Sequence, residues 1–348
     1  MPEMIDLLSC LRCGRCRAVC PTLESLGWES MGPRGRIMLC LGYLEGAGWI
    51  EGVSDSLYTC TTCGACSFIC PSGVDVDSIV EYLRREYLKS HKDGRIEEMY
   101  EAIRIYGNPM GDTRSRWWWL EGVNGITLRR RSDIIYFAGC LLSYRSREVA
   151  VSTLRILADF GVALLEDERC CGSPLLRLGV ENPPTMEDNI RQIEESGAEL
   201  ILTSCPGCYM TLKNDYNLDC SVMHTAEFFS EHLDEIDPGR LGITVTYHDP
   251  CHLARGEGVI EEPRAVIERI CKLHEMKRSR ELSGCCGGGG GVRSGYHNLS
   301  RAITVRRLED VPPDVDLIVT TCPLCIINLG DGGGNVIDLS QLIERSKM

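Results

Sequence analysis

The chain has 348 residues, 43% of them hydrophobic and 25% charged, which is ordinary for a globular protein of two or three domains. Its net charge of −13 disfavours nucleic-acid binding, which relies on clustered lysine and arginine, and no apolar run approaches the roughly 20 residues of a membrane span. Its 21 cysteines, an odd number with no secretory segment before them, argue against a disulfide framework and favour metal-ligating thiols in a reducing cytoplasm.

Two cysteine runs near the N-terminus share one spacing. In each, three cysteines separated by two residues are followed by a fourth that precedes a proline: Cys10, Cys13, Cys16 and Cys20, then Cys60, Cys63, Cys66 and Cys70. This spacing is typical of cubane [4Fe-4S] clusters, and in two-cluster ferredoxins the fourth cysteine of each run binds the other cluster. Zinc sites and disulfides are the alternatives. We expect two cubanes, held by Cys10, Cys13, Cys16 and Cys70 and by Cys60, Cys63, Cys66 and Cys20.

The long spacer between the two runs predicts an all-helical ferredoxin domain rather than the compact β type. Pro33 begins a helical segment that Gly46 ends, and Asp77 is the expected cap of a later helix. We assign residues 1–95 to this domain and residues 96–131 to a connector.

The connector contains an unusual run of three tryptophans, Trp117 to Trp119, followed by three arginines at 129–131. Tryptophan and arginine are enriched at protein interfaces, so the run could dock a partner protein or a membrane surface. We favour the other interpretation, that the tryptophans pack between domains of this same chain.

The remainder of the chain repeats one pattern twice. An apolar strand that leads to Cys140 is matched by one that leads to Cys251, and the segment before Cys205 matches the segment before Cys322. Helical segments separate these strands, which is typical of parallel α/β units. The predicted fold class is therefore α plus α/β, an all-helical two-cluster ferredoxin domain followed by two related cysteine-rich lobes with parallel sheets. The lobes are placed at residues 132–238 and 241–348.

Each lobe carries five cysteines, as a single cysteine, a Cys-Cys-Gly and a Cys-Pro-x-Cys. They are Cys140, Cys170, Cys171, Cys205 and Cys208, and then Cys251, Cys285, Cys286, Cys322 and Cys325. Five thiolates exceed the four of a structural zinc site, and adjacent cysteines suit two irons of one cluster better than a single ion. We expect a polynuclear iron–sulfur centre in each lobe. Zinc in one lobe and a purely structural role are the alternatives.

Two ferredoxin runs followed by two such cysteine sets resemble the D-type catalytic component of heterodisulfide reductase, which is similar to a fusion of that enzyme's C-type (ferredoxin) and B-type (cysteine-rich) components. The segment from His248 to Leu253 and the Cys285-Cys286 pair with glycines 287–291 resemble the family's second-lobe motifs. In the first lobe Ser173-Pro174 replaces the glycine run. The resemblance implies a noncubane [4Fe-4S] cluster in each lobe, at which a substrate disulfide is bound and cleaved with electrons from the two cubanes.

The resemblance also implies partners. These are an electron-donating protein, either a flavin-containing A-type component or a membrane cytochrome b, and a small disulfide such as that of coenzyme M and coenzyme B in methanogens. We expect the catalytic component of a complex that works in the cytoplasm or is attached peripherally to a membrane protein. One alternative is the electron-transfer component of a quinone-linked glycolate, lactate or glycerol-3-phosphate dehydrogenase complex. Another is a structural zinc module with two working cubanes.

Several further residues invite a functional interpretation. His248 and His252 could donate protons to departing thiolates, but we favour hydrogen bonds that hold the cysteine loop. The glycines at 287–291 lack the lysine of a P-loop and are expected to let backbone N–H groups approach cluster sulfurs. Arg255 and Arg293 could bind an anionic substrate, although surface arginines are the simpler interpretation. Three cysteines outside the motifs are expected to be buried, inert thiols: Cys40, Cys220 and Cys271.

Overall fold

The computed structural model describes residues 7–348, so the first six residues of the predicted ferredoxin domain lie outside it. The described residues up to 106 form helices and no strand, as expected for the all-helical type. The helices are α1 (Pro21–Leu26), α2 (Pro33–Leu44), α3 (Val53–Tyr58), α4 (Ala65–Phe68), α5 (Val76–Leu88) and α6 (Gly94–Tyr106), with 3-10 turns at Arg15–Val19 and Glu29–Met31.

Helix α5 begins earlier than its predicted cap implies. The side chain of Asp75, not Asp77, accepts a hydrogen bond from the Ser78 amide and caps the helix. Asp77 instead accepts a hydrogen bond from the hydroxyl of Ser67 on α4. The predicted cap was wrong because two aspartates stand within one turn of each other, and local sequence does not distinguish which is free to bond the backbone.

Helix α6 crosses the predicted boundary between the ferredoxin domain and the connector. Asp93 caps it, since its carboxylate accepts the Arg95 amide, and Gly107 ends it in the left-handed conformation with φ 68°. Ile96 and Ile103 lie on its buried face. The beginning of the predicted 96–131 connector is therefore the body of a helix, which contacts α9 of the first lobe, defined below.

The first lobe contains a sheet of three parallel strands, β1 (Ile134–Phe137), β2 (Leu200–Thr203) and β3 (Ser221–His224), in that order. Its helices are α7 (Cys140–Arg145), α8 (Arg147–Leu157), α9 (Ser173–Leu178), α10 (Met186–Ser196), α11 (Pro206–Asn214), α12 (Thr225–Glu231) and α13 (Leu233–Ile236). Gly161, with φ 73°, ends the 3-10 turn that follows α8.

The second lobe contains four parallel strands in the order β5-β4-β6-β7. The strands are β4 (Thr244–His248), β5 (Lys272–Leu273), β6 (Leu317–Thr320) and β7 (Val336–Asp338). Its helices are α14 (Cys251–Glu257), α15 (Glu261–Ile270), α16 (Val292–Gly295), α17 (His297–Leu308), α18 (Pro323–Asp331) and α19 (Leu339–Ser346). The predicted parallel α/β lobes are confirmed. Within residues 7–348, every helix is too short or too polar to cross a bilayer.

One apolar core joins the two lobes. It includes Tyr136 of β1 and Tyr247 of β4, both fully buried, together with the apolar faces of α8 and α19, which pack against each other across the boundary between the lobes. Since the sheets share this core, the lobes are fixed relative to each other.

The tryptophan run packs inside the chain, as we favoured. Trp119 is fully buried in the core that joins the lobes. The indole N–H of Trp117 donates to the Glu166 carbonyl oxygen at 3.1 Å, and the Arg114 guanidinium lies 3.9 Å from the centre of the Trp118 ring. These contacts attach the connector to the first lobe.

Candidate iron–sulfur site

The first group of ferredoxin thiols lies near the surface. Cys10, Cys13, Cys16 and Cys70 line one small cavity of about 30 Å³. Burial raises the pKa of the Cys16 thiol, and the nearby thiols of Cys10, Cys70 and Cys13 raise it further. These four residues, called the distal set below, combine three cysteines of the first run with the fourth cysteine of the second.

The second group of thiols is deeper. Burial raises the pKa of Cys66, and the neighbouring thiols of Cys63, Cys60 and Cys20 raise it further. Cys20, Cys60 and Cys63 are each at most 9% exposed. These four residues, the proximal set, combine three cysteines of the second run with the fourth cysteine of the first.

The backbone of each run explains why its thiols converge. Arg12 and Gly14 in the first run have φ of 53° and 78°, and the equivalent Thr62 and Gly64 have 48° and 69°. Left-handed residues turn the chain sharply. One such turn lies between the first and second cysteines of each run and one between the second and third. The turns direct the three thiols of the run toward a common point.

The five cysteines of the second lobe form a chain of thiol contacts. Cys251 lies within hydrogen-bonding distance of Cys285, Cys285 of Cys286, Cys286 of Cys325, and Cys325 of Cys322. The Cys286 and Cys325 sulfurs are 3.4 Å apart. Cys251 and Cys322 stand at the carboxyl edge of the sheet, where β4 leads to α14 and β6 leads to α18.

The first lobe repeats this chain of contacts in the same order. Cys140 contacts Cys170, Cys170 contacts Cys171, Cys171 contacts Cys208, and Cys208 contacts Cys205. The absence of the glycine run therefore leaves the thiol arrangement of the first lobe unchanged.

Both lobes open onto one shared cavity of about 700 Å³. Nine of the ten lobe cysteines line it, all except Cys285. Three arginines, Arg145, Arg177 and Arg293, lie on its wall, and the described residues that line it include no acidic side chain. The cavity wall therefore carries basic and apolar side chains in a chain with a net charge of −13.

The proximal set lies directly against the second lobe. The thiols of Cys63 and Cys285 are within hydrogen-bonding distance of each other. A Cβ at Gly289 would lie 2.6 Å from the Thr61 carbonyl oxygen, and one at Gly290 would lie 2.3 Å from the Cys60 carbonyl oxygen. These two glycines are required for close contact with the ferredoxin run, whereas we expected contact with cluster sulfurs.

Gly287 lies beside a cysteine sulfur of its own lobe. Its backbone amide donates a hydrogen bond to the Cys285 sulfur at 3.2 Å. The glycine segment therefore contacts both the Cys285 thiol of its own lobe and the backbone of the second ferredoxin run.

The donor groups fit the clusters that the sequence predicts. Each ferredoxin set offers four converging thiols and each lobe offers five, and thiolates are the usual ligands of iron–sulfur clusters. In the second lobe, ligand atoms of His248, Cys286 and Cys325 also lie within 4.8 Å of one another, a set that suits a single zinc ion as well.

Comparisons with known proteins agree with this geometry. A family model for a cysteine-rich domain matches residues 134–213 and 245–330, and one for a 4Fe-4S dicluster domain matches residues 6–74. The D component of the dihydromethanophenazine:CoB–CoM heterodisulfide reductase of Methanosarcina mazei is 33% identical over 95% of this chain and 90% of the relative. The chain belongs to the heterodisulfide reductase D family.

Other relatives of this family member have different names. The B component of the fumarate reductase (CoM/CoB) of Methanothermobacter marburgensis is 32% identical over 97% of this chain and 72% of the relative. EtfAB:quinone oxidoreductase of Syntrophomonas wolfei is 28% identical over 95% of this chain and 56% of the relative. The chain is therefore an iron–sulfur oxidoreductase component, and the resemblance inferred from its motifs is confirmed.

The two histidines of the second-lobe motif lie beside the cysteines. His248 is 1% exposed, and its Nδ1 accepts a hydrogen bond from the Arg307 guanidinium at 2.9 Å. Burial lowers the pKa of His248, while contact with the Cys286 thiol opposes that shift. His252 Nε2 donates to the Thr62 carbonyl oxygen at 2.9 Å, which links the second lobe to the proximal set.

The surface interpretation of Arg255 is wrong. Its guanidinium donates to the Cys63 carbonyl oxygen at 2.8 Å and to the Ser283 carbonyl oxygen at 2.6 Å, so it joins the ferredoxin run to the second lobe. Arg293 is also partly buried, since it lines the shared cavity and pairs with Asp331 at 2.6 Å. Residues distant in sequence supply these partners, and the local pattern therefore gave no signal for them.

An arginine of the connector that was not predicted lies beside the first-lobe cysteines. Arg116 is 8% exposed, and its Nη2 donates to the Cys140 sulfur at 3.4 Å. Its Nε donates to the Glu168 carbonyl oxygen at 2.7 Å, while the Glu168 carboxylate accepts the amides of Ala138 and Gly139. Its position beside the tryptophan run was the available signal.

The three cysteines outside the motifs differ in burial. Cys40 is fully buried and Cys271 is 6% exposed, and burial raises the pKa of each thiol to about 11. Such thiols are unreactive near neutral pH, in line with the expectation. Cys220 is only half-buried, so the prediction of a buried thiol was wrong there.

Proposed function

We propose that the chain is the disulfide-reducing component of a larger complex. In this proposal electrons pass from the distal set to the proximal set, then to the second lobe, and reach a disulfide in the shared cavity. The observation that carries the proposal is that the cysteines of both lobes open onto one cavity whose second-lobe side contacts the proximal set through Cys63 and Cys285.

The reaction requires two electrons and two protons, because R–S–S–R′ + 2e⁻ + 2H⁺ yields RSH and R′SH. Bound iron–sulfur clusters supply one-electron carriers over a wide range of potentials. The two lobes face each other across the cavity. Each cysteine set could therefore hold an iron–sulfur cluster that contacts one sulfur of the substrate. Facing sets in one cavity suit a reaction that separates two sulfurs.

We propose that the substrate is an anionic disulfide of the coenzyme M–coenzyme B type. The lining of the cavity supports this class, because it contains three arginines and no acidic side chain among the described residues. Arg177 and Arg293 are paired with carboxylates, but Arg145 is exposed and forms no ion pair within residues 7–348. Arg145 is therefore the arginine best placed to bind a carboxylate, phosphate or sulfonate.

For the histidines we propose a holding role. His248 lies between Arg307 and the Cys286 thiol, and it accepts a hydrogen bond from the Arg307 guanidinium. His252 donates a hydrogen bond to the Thr62 carbonyl oxygen. A group that is buried and bonded in this way keeps a cysteine loop in place more readily than it gives up a proton.

A second candidate function is electron transfer without catalysis. The similarity to EtfAB:quinone oxidoreductase supports it, since that relative is named for a quinone. In that case the chain would be the electron-transfer component of a quinone-linked dehydrogenase complex. Under either function we propose a separate partner protein as electron donor or acceptor, with the complex in the cytoplasm or attached peripherally to a membrane protein.

The test is the iron and zinc content of protein purified without oxygen. Two cubanes and two further tetranuclear centres predict about 16 iron atoms per chain and no zinc. The same protein, supplied with reduced viologen, should then reduce the mixed disulfide of coenzyme M and coenzyme B. A content of about 8 iron atoms would contradict the catalytic proposal, whereas about 16 without disulfide reduction would favour electron transfer.

A further inference from the structure

The two ferredoxin runs have the same local conformation but different surroundings. Thr61 and Thr62 of the second run are 1% and 2% exposed, and the glycine run of the second lobe packs against this segment. The equivalent residues of the first run, Leu11 and Arg12, are exposed, and Leu11 reaches 71%. A surface that contacts a redox lobe in one run is thus presented to solvent in the other.

Large apolar side chains surround the exposed run. Leu8 is 69% exposed, Trp28 is 70% exposed and Phe68 is 52% exposed. Phe68 belongs to α4, which packs on the 3-10 turn at Arg15–Val19, and Trp28 precedes Glu29, which bonds Arg17. The distal patch comprises these residues and the exposed members of the run: Leu8, Leu11, Arg12, Cys13, Arg15, Arg17, Trp28 and Phe68.

The distal patch is positively charged in an acidic protein. Residues 10–20 contain arginines at 12, 15 and 17 and no acidic residue, whereas the whole chain has a net charge of −13. The carboxylate of Glu29 is shared between Arg17, at 2.9 Å, and Arg34, at 2.8 Å. Arg12 and Arg15 are exposed and form no ion pair within residues 7–348, so their charge is available to an approaching partner. A local charge opposite to that of the whole molecule orients a charged partner as it approaches.

We propose that the distal patch is the docking surface for an acidic electron-carrying protein. Its apolar members would provide the buried centre of the contact and its arginines would pair with carboxylates of the donor. At each encounter the donor loses one electron and the chain gains one at the distal set. Because electrons must reach the chain from another protein in the proposed function, this docking site depends on that function.

The experiment measures reduction of the chain itself, with a reduced small acidic two-cluster ferredoxin as the probe. Absorbance after rapid anaerobic mixing gives the rate at several salt concentrations. Charge reversal in the Arg12→Glu/Arg15→Glu variant should slow reduction at least about tenfold at low salt and remove most of the salt dependence. Trp28→Asp, which lies outside the cysteine run, should also slow it.

The matched control is Arg345→Glu/Lys347→Glu, two exposed residues at the C-terminal end of α19. It reverses two charges, as the double patch variant does, so it should alter the rate less than about twofold. Iron content is measured first, and a variant is compared only when its iron content matches that of the unmodified protein. Unchanged rates in both patch variants, or equal slowing by Arg345→Glu/Lys347→Glu, would overturn the docking site. If the unmodified protein accepts electrons from the ferredoxin but does not reduce the disulfide, that result would instead contradict the proposed function.

Discussion

Single residues distinguish the two otherwise similar lobes. Arg116 places a guanidinium against Cys140 of the first lobe, and its Nη1 has no hydrogen-bond partner within residues 7–348. In the second lobe, by contrast, His248 lies against Cys286 and Cys63 lies against Cys285. A fixed positive charge beside one cysteine set stabilises its more negative, reduced form. The Glu168 carboxylate lies 3.4 Å from the Arg116 guanidinium, and Arg255 is a charged group near Cys251 and Cys285. The two lobes therefore place different charged groups beside their cysteines although their thiol contacts are the same.

Replacement of Arg116 should separate charge from packing. In the Arg116→Met variant we expect the reduction potential of the first-lobe centre to fall, because the positive charge that stabilises its reduced form is lost. Arg116→Lys should restore most of the potential. The measurement is a redox titration followed by electron paramagnetic resonance. Arg114→Met is the control, since Arg114 is exposed and stacks on Trp118. Equal potentials in Arg116→Met and the unmodified protein would refute the assignment.

At the scale of elements, the glycine segment 287–291 connects the ferredoxin domain to the second lobe. Gly290 has φ 59°, and its Cα lies so close to the second run that any side chain would meet the Cys60 carbonyl oxygen. His252 and Arg255 of α14 add hydrogen bonds to Thr62 and Cys63 at the same contact. Together they hold the proximal set against the second lobe.

Gly290→Ala should therefore interrupt electron flow between the two parts. Steric contact with the backbone of Cys60 would move the segment away, and we expect at least about tenfold slower reduction of the lobe centres with the ferredoxin clusters still reducible. Freeze-quench spectroscopy after mixing with dithionite would follow each centre. Gly258→Ala carries a similar left-handed strain, with φ 76°, but meets no atom within 4 Å. If Gly258→Ala slows reduction of the lobe centres as much as Gly290→Ala does, backbone strain and not contact with Cys60 explains the slower reduction.

At the scale of the whole molecule, we expect the two lobes to unfold as one unit because they share a core. Helix α19 belongs to the second lobe, yet it packs against α8 of the first. Glu344 on α19 also bonds Ser152 and pairs with Arg155 of α8. The facing cysteine sets depend on this packing for their relative position.

Leu342→Ala tests the shared core. Leu342 is fully buried on α19, so we expect a loss of about 2–5 kcal/mol in the free energy of unfolding. Denaturant unfolding should remain a single transition for the two lobes, shifted to lower midpoint, with the fluorescence of buried Trp119 as one probe. The exposed Leu282→Ala is the control. Two separate transitions would show that the lobes are independent.

The sequence alone predicted the elements and the ligand groups. Cysteine spacing predicted that Cys20 and Cys70 exchange between the two runs, and the thiols group in this way in the fold. Strand patterns predicted parallel sheets whose strands lead to cysteines. Such features can be predicted because they depend on local periodicity and on the spacing of ligands along the chain.

What the tertiary structure decided was which of these elements meet. The shared cavity, the contact between Cys63 and Cys285, the buried Arg116 and the role of Arg255 all join segments separated by many residues. Local sequence contains no signal for such contacts, because they arise only when the apolar faces of distant helices and strands are buried together in one core. The sequence therefore determined what the chain can bind, and the packing determined how those sites are connected.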